Sequence, residues 1–140
     1  MSRIPARLGR LVARRADGRC EYCGLAQAGQ EATFHVDHVI PQSTGGPTAA
    51  DNLALACVSC SLRKEARRSA TDPLTGRTVP FYHPRRQRWS SHFRWDGLRV
   101  VGLTPTGRAT VDALRMNRPL ILAIRAEEAV RGRHLPGRPP

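Results

Sequence analysis

The sequence predicts a small α+β protein, because strand patterns and helix patterns occur in separate segments of one short chain. Residues 32–40 are β-branched and alternate between apolar and polar side chains, which predicts a strand. Residues 57–68 lack glycine and proline and are rich in alanine, leucine and arginine, which favours a helix. Residues 93–101 surround Asp96-Gly97, a pair typical of hairpin turns with positive φ. At 140 residues the chain is long enough for one small domain, or for a module with a packed extension.

The other elements follow from apolar periodicity and from turn residues. Residues 5–16 place leucine and valine on one face among arginines, which predicts a short amphipathic helix. Residues 43–50 contain Gly45-Gly46-Pro47 and are expected to form a loop. Thr104-Pro105 is typical of a helix start, and we expect one helix after it and another over residues 119–130.

A cluster of turn residues at 71–76 indicates a boundary within the chain. We therefore expect a first module at 1–72, including the N-terminal helix. An extension at 73–133, made of a β-hairpin and two helices, would pack on this module. The segment 134–140 contains three prolines and is expected to be a disordered tail.

The charge of the chain indicates an anionic partner. Lysine and arginine number 23 against 11 acidic residues, so the net charge is +12, and Lys64 is the only lysine. The planar arginine fork suits phosphate, and such an excess is typical of proteins that bind nucleic acid or an anionic membrane surface. The sequence has no apolar run long enough to span a membrane and no signal-peptide pattern at its N-terminus. We therefore expect a cytoplasmic protein without a membrane segment.

Two Cys-x-x-Cys pairs, Cys20/Cys23 and Cys57/Cys60, predict a metal site. Four thiolates can converge on one zinc ion and close a structural site. The alternatives are four unpaired core cysteines or a thioredoxin-like redox pair, but in a reducing compartment two pairs favour zinc. The 33 residues between Cys23 and Cys57 must fold as a unit of their own.

That unit contains residues suited to phosphodiester hydrolysis. His35 and Asp37 share one face of the predicted strand and can ligate one hard divalent ion together. His38 points to the opposite face of a regular strand, so it reaches the same site only if the strand ends or bends there, as Pro41 allows. A neutral imidazole can accept a proton from water at pH 7, and the amide of Asn52 can orient it.

Taken together, these residues resemble the HNH endonuclease family. The resemblance covers residues 14–68. It rests on Cys20-Glu21-Tyr22-Cys23, Phe34-His35-Val36-Asp37-His38-Val39-Ile40-Pro41, Gly45-Gly46, Asp51-Asn52-Leu53 and Cys57-Val58-Ser59-Cys60-Ser61-Leu62-Arg63-Lys64. The resemblance implies a ββα-metal fold, in which a two-stranded hairpin and a helix hold one catalytic divalent ion beside a four-cysteine zinc site.

By this resemblance Asp37 is a metal ligand, His38 is the general base and Asn52 orients it. The residue after the fourth cysteine is usually Asn or His in the family, but this chain has Ser61, a shorter and weaker ligand. The ion is then held through water, or by His35 instead. Lys64 matches a basic residue of the family and is expected to contact phosphate. The full set of expected nucleic-acid contacts is Lys64, Arg63, Arg67, Arg85 and Arg86.

The sequence therefore predicts an endonuclease of low sequence specificity that cuts double-stranded DNA with Mg²⁺ or another divalent ion and carries structural Zn²⁺. A monomer or weak dimer is expected. Two alternatives remain: a non-catalytic zinc-containing nucleic-acid-binding protein whose ion site is weakened by Ser61, and a nuclease directed at RNA. The extension carries arginines among Trp89, Phe93 and Trp95. These rings can stack bases, but we favour their packing against the zinc module.

Overall fold

The computed structural model describes residues 4–134 and 136, which form helices and three two-stranded antiparallel sheets. The helices are α1 (Ala6–Arg15), α2 (Val58–Lys64), α3 (Trp89–His92), α4 (Pro105–Ala113) and α5 (Pro119–Val130). The strands are β1 (His35–His38), β2 (Leu53–Ala56), β3 (Ser69–Thr71), β4 (Thr78–Pro80), β5 (Phe93–Asp96) and β6 (Arg99–Gly102). The α+β class is therefore confirmed.

The first sheet and α2 form the ββα unit expected from the sequence. Strand β1 pairs with β2 so that His35 lies opposite Ala56 and Asp37 opposite Ala54. Helix α2 begins two residues after β2, and Cys57 caps it by accepting a hydrogen bond from the Cys60 N–H at 3.4 Å. The sheet and the helix thereby meet beside the second cysteine pair.

Helix α2 is shorter than the segment 57–68 predicts, because it ends at Lys64. The next residue, Glu65, has a φ of 52°, which an α-helix does not allow. The chain then enters a second hairpin, β3–β4, that the sequence analysis missed. Strands of three residues are too short to show an alternating pattern. The turn residues at 71–76 therefore lie largely inside a hairpin.

The third hairpin, β5–β6, is where the sequence predicts it, but its turn is shifted by one residue. Asp96 pairs with Arg99, so the two loop residues are Gly97 and Leu98 rather than Asp96 and Gly97. Gly97 takes the positive φ, 60°. The register is fixed by the pairing of whole strands, and the turn dipeptide alone does not reveal it.

Both predicted helices of the extension are present, and α3 is a further short helix that the sequence does not predict. The Thr104 hydroxyl accepts a hydrogen bond from the Gly107 N–H at 3.0 Å and so caps α4. Helix α5 covers 119–130. None of the described helices is long and apolar enough to cross a bilayer.

Both halves of the sequence contribute to one cluster of buried side chains. Tyr22 between the first two cysteines is fully buried, and its carbonyl accepts a hydrogen bond from the Trp89 indole at 2.9 Å. Phe93 stacks against Trp89 with ring centroids 5.1 Å apart. The packing interpretation of these two aromatics is thus confirmed. Of the expected tail, His134 contacts the Trp95 ring, while Leu135 and residues 137–140 lie outside the described residues.

Candidate active site and metal centre

The four cysteine sulfurs converge at one buried point. All four side chains are at most 2% exposed, and their sulfur atoms lie within 4.8 Å of one another. The sulfurs of Cys23 and Cys57, one from each pair, are 3.7 Å apart. A tetrahedral zinc ion with bonds of about 2.3 Å places its sulfurs about 3.8 Å apart. The donor set and its spacing therefore fit one structural zinc ion.

Local backbone geometry presents each pair as a knuckle. The Cys23 N–H donates to the Cys20 sulfur at 3.5 Å, as the Cys60 N–H does to Cys57. Gly24 follows the first pair with a φ of 79°, a conformation that favours glycine. This turn brings the Leu25 carbonyl to the Cys20 N–H at 2.9 Å. Both knuckles thus point their sulfurs toward one centre.

Strand β1 carries the predicted ligands of the catalytic ion. The Nδ1 atom of His35 lies 2.8 Å from the Ser61 hydroxyl on α2, so the structure brings these two predicted ligands together. Asp37 lies two residues along the same strand and is half-buried, whereas His35 is exposed. In the described residues the only group of three or more histidine, cysteine or acidic ligands is the cysteine cluster. This face is therefore an open, partial donor set.

His38 lies at the end of β1, half-buried, and its Nε2 atom is 2.8 Å from the Thr48 hydroxyl. Burial lowers the pKa of the His38 imidazole, and the Lys64 charge adds to this effect while the Asp37 carboxylate opposes it. The shift favours the neutral ring, which is the form that can accept a proton. No sequence pattern singled out Thr48, because it sits in the loop after the two glycines.

Asn52 is 3% exposed and fixes the loop that follows β1. Its amide oxygen accepts from the Ile40 N–H at 2.9 Å, and its amide nitrogen donates to the carbonyls of Ile40 and Pro47 at 3.0 and 2.9 Å. We expected this amide to orient His38 directly. Instead it holds the backbone next to Thr48, and Thr48 contacts the imidazole.

The hydrogen bonds from Asn52 to Ile40 and Pro47 form a loop clamp, and Gly46 lies inside it. A Cβ atom at that position would stand 1.7 Å from the Ile40 carbonyl oxygen, so the close approach of the two loop ends requires glycine. Gly45 has a φ of 90°, which also favours glycine. The Gly45-Gly46 pair and Asn52 therefore serve one purpose, which is to close the loop beside His38.

Lys64 does not lie on the surface where a phosphate contact was expected. Its side chain is 2% exposed, and its ammonium donates to the Val39 carbonyl at 3.0 Å. Burial lowers the pKa of this ammonium, while the Asp37 carboxylate acts in the opposite direction. In helix α2, Lys64 stands four residues after buried Cys60, so the two residues share the inward face. Lys64 thus holds the backbone of Val39, the residue that follows His38.

The expected arginine contacts divide into exposed and buried members. Arg67 and Arg86 are exposed, and Arg63 is half-buried with its Nε 3.2 Å from the Ser59 hydroxyl. Arg85 forms an ion pair with Glu21, and only 13% of its side chain is exposed. The contact of Arg85 with nucleic acid stays a prediction, and it would compete with the ion pair to Glu21. Glu21, missed by the sequence analysis, also accepts from the Leu55 N–H at 2.9 Å.

A cavity of about 240 Å³ adjoins the end of β1. Its walls include apolar side chains and four basic ones, and no acidic residue lines it. The lining residues are Val39, Ile40, Lys64, Arg68, Pro80, Phe81, Tyr82, His83, Arg86 and Gln87. The lining of this cavity is therefore basic, with Arg68 and Arg86 among its residues.

Residues 20–67 match the family model described as HNH endonuclease. The match covers about a third of the chain and spans both cysteine pairs, β1, β2 and α2. No curated protein and no solved structure matches the chain. The matched segment is therefore similar to the HNH endonucleases, and this similarity suggests a nuclease with a nucleic-acid substrate.

Proposed function

Starting from the HNH domain at residues 20–67, we propose that the chain is a metal-dependent endonuclease that hydrolyses phosphodiester bonds in double-stranded DNA. The proposal is supported by the position of His38 at the end of β1, where Thr48 orients it, because the same strand carries His35 and Asp37 and His35 contacts Ser61. A histidine base near a divalent-ion site is an arrangement that can hydrolyse phosphodiester bonds. The proposed setting is the reducing cytoplasm, and the proposed state is a monomer or weak dimer.

Asp37 would hold a divalent ion, with Ser61 or His35 completing the set. Mg²⁺ is commonly bound by one or two carboxylates together with substrate phosphate and water, so a single carboxylate suffices. A divalent ion bound there would stabilise the negative charge that develops on the phosphoryl and leaving oxygens. If the His35 Nδ1–H donates to Ser61, the Nε2 lone pair is free for the ion.

His38 would take a proton from a water molecule as its oxygen attacks the phosphorus. The new P–O bond forms while the bond to the 3′-oxygen breaks, which leaves a 5′-phosphate and a 3′-hydroxyl after protonation by solvent. Thr48 holds one ring nitrogen of His38 and so fixes the direction of the other. The loop clamp of Asn52 keeps Thr48 in place. Removal of any of these parts is expected to lower kcat more than DNA affinity.

Affinity would come from arginines that contact the DNA backbone, principally Arg63, Arg67 and Arg86. The net charge of +12 and the cationic cavity support this assignment. Phosphate contacts position a protein on DNA without reading its sequence, which accounts for low sequence specificity. Binding should therefore weaken steeply as salt is raised.

The test is plasmid nicking by the purified protein with Mg²⁺, Mn²⁺, Ni²⁺ or EDTA. The parent should nick with at least one of these ions and not with EDTA. His38→Ala should lose at least about 100-fold in rate, the lower range for a general base, and retain DNA binding in a mobility-shift assay. His134→Ala, which removes an imidazole outside the HNH domain, should cleave like the parent. Equal loss of binding and cleavage in His38→Ala would indicate a structural histidine.

The incomplete ligand face also supports a second candidate, a nucleic-acid-binding protein without catalysis. Ser61 stands where the resemblance leads us to expect a stronger ligand, and its hydroxyl contacts His35. This candidate predicts salt-sensitive DNA binding with no metal-dependent nicking of DNA or RNA. Cleavage of RNA alone would instead assign the same chemistry to a different substrate.

A further inference from the structure

Arg125 on α5 is the largest fully buried side chain of the described residues, at 1% exposure. Arginine is almost never fully buried unless a partner neutralises it. In the part of the chain that the structure describes, no carboxylate pairs with it. Glu128, one turn further along α5, pairs with Arg133 instead, at 2.6 Å. The charge of Arg125 therefore needs another source of compensation.

The hydrogen bonds of Arg125 use only part of its guanidinium. Its Nη1 donates to the Leu98 carbonyl at 2.9 Å and to the Asn117 amide oxygen at 3.3 Å. The group lies over the Trp95 ring, 5.2 Å from its centroid. Its Nε and Nη2 are buried and have no hydrogen-bond partner among the described residues. Buried donors without partners are rare in native structures, and a negative group beside them would offset the cost of burying the charge.

The sulfur cluster lies next to this guanidinium. Arg125 and Cys23 line the same cavity of about 10 Å³, which holds one water molecule at most. Burial lowers the pKa of the Arg125 guanidinium, and the sulfurs of Cys23, Cys60 and Cys20 act in the opposite direction. The extension thus brings one buried cation to the edge of the four cysteines.

A zinc ion held by four thiolates carries a net charge of −2, and burial of such a charge is costly unless it is paired. The cluster and Arg125 carry opposite charges and lie side by side, so each lowers the cost of burying the other. We infer that Arg125 is the electrostatic partner of the zinc centre, so that the extension slows zinc loss and the loaded site holds α5 in place. This inference rests on the zinc site and is independent of the proposed nuclease activity.

The test compares Arg125→Met, which removes the charge, with Arg125→Lys, which keeps it. Arg131→Met is the control, because Arg131 follows the same helix but pairs with exposed Glu127. Zinc release from the full chain to the chromogenic chelator 4-(2-pyridylazo)resorcinol is the first readout. Partners outside the ligand set commonly change metal affinity 10- to 100-fold, so Arg125→Met should release zinc about 10-fold faster or more. Arg125→Lys should be closer to the parent, and Arg131→Met should equal it.

The second readout is the sulfur-to-cobalt charge-transfer band of the Co²⁺-loaded chain. A nearby cation lowers the energy of the thiolate electrons, so Arg125→Met should shift this band to longer wavelength while Arg125→Lys leaves it near the parental position. Loss of packing alone would make both variants release zinc equally fast without a band shift, and that result would overturn the inference. If Arg125→Met does not fold, a shifted band in folded Arg125→Lys overturns it, and a parental band supports it.

Discussion

The cysteine cluster and the β1 face, two candidate metal-binding regions of the segment 20–67, differ in their access to solvent. The cysteine cluster has four identical donors, is at most 2% exposed and is closed on all sides. The β1 face offers one carboxylate and one imidazole, α2 adds the Ser61 hydroxyl, and His35 is exposed to solvent. Structural zinc sites are closed, whereas catalytic sites keep positions open for water and substrate. We therefore expect the cysteine cluster to stabilise the fold and the β1 face to carry the proposed chemistry.

Disruption of the cysteine cluster should have the largest effect on stability. Cys57→Ser removes one thiolate and the sulfur that accepts the Cys60 N–H at the start of α2. Metal binding supplies folding energy in small zinc domains, so we expect loss of about one zinc equivalent and of the cooperative thermal transition. Elemental analysis and circular dichroism on the same sample measure both.

Ser59→Ala is the control, because Ser59 lies on the same helix and bonds only Arg63 among the described residues. This variant should keep its zinc and its fold. A Cys57→Ser protein that melts like the parent would show that the cluster is not a structural zinc site.

Breaking the loop beside the open region should have a smaller effect on stability. Asn52→Ala leaves the N–H and C=O of Ile40 and the C=O of Pro47 without their partners. Buried groups left unsatisfied cost about 1–3 kcal/mol, and we expect a loss of this size in urea unfolding. Cleavage should fall further than stability does, because Thr48 loses its position.

Asp51→Ala is matched to this variant, since Asp51 is the exposed neighbour in the same turn. Asp51→Ala should change the free energy of unfolding by less than about 0.5 kcal/mol, as substitutions of exposed residues usually do. Equal effects of the two substitutions would contradict the clamp.

The ion pair of Asp72, in the β3–β4 hairpin, gives a pH-dependent prediction. Arg108 donates to both oxygens of buried Asp72 at 3.0 and 2.8 Å and holds the pKa of this carboxyl well below its usual range. A depressed pKa contributes stability that is present above the unfolded value, about 3.9, and is lost as pH falls through the folded one. Urea midpoints of the parent should therefore drop below about pH 4.

Asp72→Asn should be less stable than the parent at pH 7 and show a flatter acid limb. The control Asp112→Asn, on the exposed side of α4, should follow the parental curve. If the acid limb of Asp72→Asn matches that of the parent, this ion pair is not the source of the stability lost at low pH.

The smallest expected effect is on the Mg²⁺ dependence of cleavage, and it tests whether Ser61 is a ligand. Ser61→Asn restores a longer amide oxygen at the helix position next to His35, so cleavage should rise at limiting Mg²⁺ and change little at saturation. Ser61→Ala should need more Mg²⁺ than the parent. If neither substitution alters the Mg²⁺ dependence, Ser61 is no ligand, and Asp37, His35 and water hold the ion.

The sequence predicts the parts of this molecule that have local causes. The helices at residues 6–15, 105–113 and 119–130 follow from periodicity and caps, and the sulfur cluster follows from cysteine spacing. The β3–β4 hairpin, buried Lys64 and the pairing of Arg85 with Glu21 depend on contacts between distant segments. A buried arginine has no local signature, so the position of Arg125 beside the cysteines could not be predicted.

We expect the two regions to hold different ions for different purposes. Titration of the Mg²⁺-activated protein with EDTA, with cleavage rate, zinc content and circular dichroism followed on one sample, tests it directly. Because a closed four-thiolate site releases zinc slowly, cleavage should stop while about one zinc equivalent and the fold remain, and excess Mg²⁺ should restore it. Loss of cleavage, zinc and structure together at every EDTA concentration would contradict the claim.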